Sequence, residues 1–119
     1  MDIVQEDKMT GMKKIVLKEM ETHHVISVED IICCVAEGSY TRIHIKNQRN
    51  IIVSKHLKEY ETLLEPFGFV RVHRSHLINL DKVLRYDKSE GGFLQMEEGL
   101  TIAVSVRKKD KLSQMLREL

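Results

Sequence analysis

With 119 residues the chain can bury one hydrophobic core and not two, and at 31% charged and 42% apolar it reads as a soluble globular domain. No apolar run approaches the roughly 18 to 20 residues that cross a bilayer, and no signal-peptide pattern opens the sequence, so a cytoplasmic location without a membrane partner is expected. The formal net charge of +1 conceals a segregation: bases gather at residues 42–49, 71–74 and 107–111, acids in the leading segment, at 19–30, 59–65 and 90–98, which predicts a basic face and an acidic back.

In chain order, residues 1–12 show no periodicity and read as a tail or severed linker. Residues 13–18 and 24–28 suggest a hairpin turning at 21–23. Residues 31–36 are continuously apolar, as in a strand covered on both faces, which sends the adjacent Cys33 and Cys34 to opposite sides as reduced, structural thiols. After the Glu37-Gly38-Ser39 loop, residues 40–46 alternate, with Tyr40, Arg42 and His44 on one side, and 50–53 return. Ser54 is expected to begin a helix carrying Leu57, Tyr60, Leu63 and Leu64 that Pro66 stops. Residues 69–73 alternate as a strand, and Arg74-Ser75 is read as the start of a short helical turn that tucks Leu77, Ile78 and Leu80 inward. Strands at 83–87, 93–96 and 100–104 and a helix capped by Ser105 complete a mainly β chain of about eight strands and two or three short helices. Its short connections demand antiparallel sheets.

Catalytic and metal patterns are missing from the sequence. None of the six histidines has a paired ligand spacing, and no phosphate-cradling loop, nucleophile elbow or carboxylate pair stands out, so neither an enzyme nor a cofactor is expected. A repeated feature remains. Ser54-Lys55-His56, Arg74-Ser75-His76 and Ser105-Val106-Arg107-Lys108-Lys109 each set a serine beside cations at an expected helix start, where cations are disfavoured by the helix dipole unless an anion balances them. Phosphates would do so, which makes Lys55, Arg74, Ser75, Lys108 and Lys109 candidate backbone contacts of a nucleic acid. An aromatic content of 5% without tryptophan speaks for a duplex and against a stacking platform for single strands.

Residues 13–119 resemble the LytTR family of DNA-binding domains, the output modules of LytR- and AlgR-type bacterial response regulators. The resemblance rests on Phe69-Val70-Arg71-Val72-His73-Arg74-Ser75-His76-Leu77-Ile78-Asn79-Leu80. It is supported by Ile31 followed by Glu37-Gly38-Ser39-Tyr40-Thr41, by Ser54-Lys55 with Leu57, and by Ala103-Val104-Ser105-Val106-Arg107. It implies an elongated arrangement of small antiparallel sheets that reads duplex DNA by loops, with base contacts from Tyr40, Thr41 and Arg42, from His73 and Arg74, and from Arg107. It also implies an upstream receiver domain. No phosphoacceptor pattern lies in the first dozen residues, so a phosphorylation switch is expected outside this chain. Without a long heptad or a large exposed apolar helix, the domain is expected to be monomeric and to occupy repeated half-sites. The competing reading is a β-rich interaction module for an acidic protein or a small ligand, which needs an apolar pocket.

Overall fold

Alternating β-branched and polar residues account for most of the architecture seen in the computed structural model, which describes the backbone of residues 4–6 and residues 13–89 and 91–119. Strands β1 (Val4–Glu6), β2 (Lys13–Glu19) and β3 (Thr22–Ser27) form a first sheet in the order β1-β2-β3. Strands β4 (Ile31–Glu37), β5 (Tyr40–Ile45) and β6 (Ile51–Val53) are followed by helix α1 (Leu57–Leu64), β7 (Phe69–His73) and β8 (His76–Asn79), and make a central sheet in the order β6-β5-β4-β8-β7. The third sheet, β11-β10-β9, is built from β9 (Val83–Asp87), β10 (Phe93–Met96) and β11 (Thr101–Ala103), and helix α2 (Lys109–Arg117) closes the chain. Every strand pairing described is antiparallel, as the short connections require, and the body measures 42 × 34 × 24 Å. No helix of the described residues is long and apolar enough to cross a membrane.

Strand β4 is the hub because it is apolar on both faces, which gives the chain two core clusters where its length suggested one. Cys34 and Ile31 enter one core cluster with Ile15, Leu17, Tyr60, Leu64, Phe69 and Leu77. Cys33 and Ile32 enter a second with Val70, Val72, Ile78, Leu94, Met96, Ile102 and Leu112. A register shift between Ile31 and Cys33 lets consecutive Ile32 and Cys33 face the same way. The first cluster joins the central sheet to α1 and the first sheet, and the second joins it to the third sheet and α2. Each fully buried Leu or Ile in them contributes about 1.5–3 kcal/mol. Burial pushes the Cys33 thiol up to about 12 and raises Cys34 well above the thiol range, so both are inert packing groups. Buried Asn79 ties the ends of β8 and β4 together, its Nδ2 donating to the Ile31 carbonyl at 2.9 Å.

The structure corrects the three expected helix starts. Residues 76–79 are a strand, not a helical turn: Leu77 and Ile78 point into different clusters, and β8 pairs with both β4 and β7. Helix α1 begins at Leu57, with the backbone N–H of His56 donating to the Glu59 carboxylate at 3.1 Å, so Ser54 lies ahead of it in the loop from β6. Ser105 precedes a 3₁₀ turn, Val106–Lys108, without a side-chain capping bond, and α2 starts only at Lys109. Within the segment expected to be a tail, Val4–Glu6 pairs with Lys13–Ile15; the rest of that expectation lies outside the described residues.

Candidate nucleic-acid interface

Because the central strands alternate in direction, four connections end on one edge of the sheet: β4 to β5 at Gly38-Ser39, β6 to α1 at residues 54–56, β7 to β8 at Arg74-Ser75, and β11 to α2 at residues 104–108. Hydrogen bonds knit them together. Ala36 N–H donates to Ser75 O at 2.8 Å, Ser105 N–H to Val72 O at 2.8 Å, and Thr41 Oγ1 to Lys55 O at 2.7 Å. At about 4.8 Å per strand, five strand ends span roughly 19 Å, and the loop from β11 extends the line past β7.

The expected contact residues fall into distinct groups along this edge. Tyr40 is exposed at the start of β5, beside a depression of about 620 Å³ that Lys55, Lys18, Met20 and Ile52 also line. Arg42 is already engaged: its Nε and Nη2 donate to the Glu37 carboxylate at 2.5 and 3.0 Å, a fork that holds Glu37 below the usual carboxylate range and raises Arg42. Thr41, an expected base contact, is fully buried and its hydroxyl donates to Lys55 O. At the other end of the line, Glu61, Arg71, His73, Arg74, Arg107 and Lys108 surround a cleft of about 520 Å³. Ser75 sits behind it with both backbone groups used, its N–H donating to His73 Nδ1 at 3.1 Å and its carbonyl accepting from Ala36. Lys109 is turned away from the cleft and lies over Gly92, where a Cβ would come 3.3 Å from its Cε.

Two histidines flank the β7–β8 turn. His73 and His76 meet edge to face at 5.3 Å. Burial, then the neighbouring His73 and His44, hold His76 below its ordinary value, and its buried Nδ1 has no hydrogen-bond partner among the described residues. Burial, then Arg42, lowers His44. Among the described residues no three His, Cys, Asp or Glu side chains are grouped to hold a metal ion. The opposite edge of the sheet carries Glu29, Asp30, Asp81, Glu97 and Glu98, with Lys46 Nζ 3.8 Å from Glu97 and Asn47 N–H on Glu98. The segregation read from the sequence holds only in part, since Lys46 and Arg49 sit at this end, in the β5–β6 turn, while Glu37 and Glu61 sit on the candidate edge.

Residues 21–117 match the sequence model of the LytTr DNA-binding domain. The chain belongs to the LytTR family. Its LytTR domain is 34% identical over 89 residues to the CO-responsive transcriptional regulator RcoM of Rhodospirillum rubrum, covering 74% of this chain and 37% of that protein. It is 37% identical over 68 residues to the sensory transduction protein LytT of Oceanobacillus iheyensis, covering 57% of this chain and 28% of the relative. The chain therefore spans about a third of the length of these relatives. A solved LytTr DNA-binding domain from Bacillus cereus superposes with a TM-score of 0.74 over 87% of this chain and 95% of that one at 21% identity, which shows the same fold. Sequence reasoning singled out the three candidate segments but not Glu61, whose approach to Arg71 depends on where α1 docks. Arg71 itself was signalled by its place beside His73 on the outward side of an alternating strand.

Proposed function

We propose that the LytTR domain reads duplex DNA along the edge where the four connections meet, and that it regulates transcription as the cytoplasmic output module of a signalling protein, by binding and without chemistry. The observation that carries this is the hydrogen-bonded convergence of the β4–β5, β6–α1, β7–β8 and β11–α2 connections, which gathers Tyr40, Arg42, Lys55, Arg74, Arg107 and Lys108 from distant sequence onto one line. In this reading Arg107 and Arg74 address base edges, Tyr40 makes apolar contact at the far end of the line, and Lys55 and Lys108 hold phosphates. Arg42, clamped by Glu37, offers its remaining N–H groups. His73 spends Nδ1 on Ser75 and keeps Nε2 for a partner. The transcriptional and sensory roles named for RcoM and LytT support a regulatory output, with sensing, phosphorylation or a receiver domain belonging to the complete protein.

The test is selection of duplexes from a randomised pool, followed by electrophoretic shift of the selected and of random DNA. Enrichment of a motif repeated at intervals of one helical turn, about 10 to 10.5 base pairs, supports the reading. Absence of retention at low salt would hand the edge to a protein or small-molecule partner instead.

A further inference from the structure

We infer that Arg71 is a positioning residue for DNA reading: with Glu61 as its counter-charge, it holds the β7–β8 turn in the shape that presents Arg74 and His73 to the duplex. The inference rests on the proposed role of that turn. Strands β7 and β8 pair His73 with His76, so Arg74-Ser75 is a two-residue loop. Two-residue hairpin loops ordinarily take positive φ at one or both residues to match the twist of the strands. Neither Arg74 nor Ser75 has positive φ, and the register slips between Arg71 and His73. The turn is therefore not the mirror-image type usual for a two-residue hairpin, and side chains clasp it on both sides.

Arg71 supplies that hold. Its Nε donates to His73 O at 3.0 Å, its Nη2 to Arg74 O, and its Nη1 to Glu61 Oε1 at 2.9 Å. Three nitrogens of one rigid plane thus fix two successive turn carbonyls relative to a carboxylate on α1, a geometry that an ammonium on a flexible stem cannot copy. From the other side His73 Nδ1 takes the Ser75 N–H, and Ala36 takes the Ser75 carbonyl. Between these clasps Arg74 stays exposed, with no ion pair among the described residues. Glu61 decides what Arg71 can do: the Arg71 side chain is only 20% exposed and already faces a carboxylate, so a phosphate would have to displace Glu61 to reach it. Arg71 acts on the turn, and Arg74 acts on the DNA.

The experiment uses a duplex selected from a random pool with the parent chain. Arg71→Lys keeps the charge and loses the fork. Its preference for the selected over random duplex should fall by about tenfold or more, the order of one lost base contact, while affinity for random DNA and its salt dependence stay as in the parent. Glu61→Gln should move the preference in the same direction by less. Loss of affinity for selected and random DNA by one common factor, with a flatter salt dependence, would make Arg71 a phosphate contact and overturn the inference. So would undiminished preference in both variants when melts show them folded, since the pair would then only stabilise the domain. Should Arg71→Lys fail to fold, Glu61→Gln carries the test alone, and full preference in it sinks the positioning role. Failure of the underlying DNA reading is distinct, because then the parent chain itself enriches no sequence.

Discussion

Thr41 and Arg107 show why residues of the same expected role must be judged by burial. Both stand in segments where LytTR relatives are expected to touch bases, yet Thr41 is fully buried with its hydroxyl on Lys55 O, while Arg107 is exposed at the mouth of the cleft. Thr41→Val would leave that carbonyl without its donor, which costs about 1–3 kcal/mol, and Thr41→Ser would restore most of it. Denaturant unfolding of the two variants checks this, and equal stability of Thr41→Val and parent would refute it. Arg107→Ala should behave in the opposite way, leaving stability unchanged within about 0.5 kcal/mol and removing about 1–3 kcal/mol of discrimination if its fork meets guanine. Shift assays on selected and random duplexes decide the matter, because an equal loss on both would reassign Arg107 to phosphate.

At the scale of elements, one carboxylate adds polar bonds to the apolar joint between the first and central sheets. Glu19, at the end of β2, accepts from Arg49 Nη2 at 2.9 Å and from the backbone N–H of Ile52 at 3.0 Å, with His24 Nε2 at 3.3 Å. The Arg49 bond first, and then the Ile52 N–H, hold its carboxyl at about 2. A lowered carboxylate favours the fold above its ordinary value of 4.5 and loses that contribution as pH falls toward 2. Thermal melts from pH 6 to 2 should therefore show the parent losing more stability than Glu19→Gln over the lower part of that range, and parallel curves would show the joint to be immaterial. No periodicity announces such a joint, since it links residues 30 or more positions apart. Local pattern does announce the hairpin of β9 and β10 and strand β7, whose bounds match the expected ones. It misleads at β8, where a strand buried on both faces shows no alternation and the serine ahead of it imitates a cap. The three serine-led basic segments were legible from their residue types. Their union into one edge was not, because it is made by antiparallel pairing across the sheet.

For the whole molecule, the question is how a chain of net charge +1 binds a polyanion. The two acids on the candidate edge, Glu37 and Glu61, are engaged by Arg42 and Arg71, so the duplex meets Lys55, Arg74, Arg107 and Lys108, while the acids of the opposite edge are screened beyond about 8–10 Å at physiological salt. An edge of roughly 19 Å covers little more than half of a helical turn of about 34 Å, enough for two or three phosphates from one domain, which sets the slope of log affinity against log salt at about −2 to −3 per half-site. Lys108 faces the cleft and Lys109 lies over Gly92, so the two neighbours should part company. Lys108→Ala should flatten the slope by about 0.9 on selected and random DNA alike, and Lys55→Ala should match it. Lys109→Ala should leave the slope near that of the parent. Stability should not suffer in Lys108→Ala, because a cation at the start of α2 opposes the helix dipole and its removal is neutral or slightly favourable. Salt titrations of the three variants, with melts of each, decide between this arrangement and a diffuse basic surface. Equal flattening by Lys108→Ala and Lys109→Ala would mean that charge alone, and not the edge built by the four connections, holds the DNA.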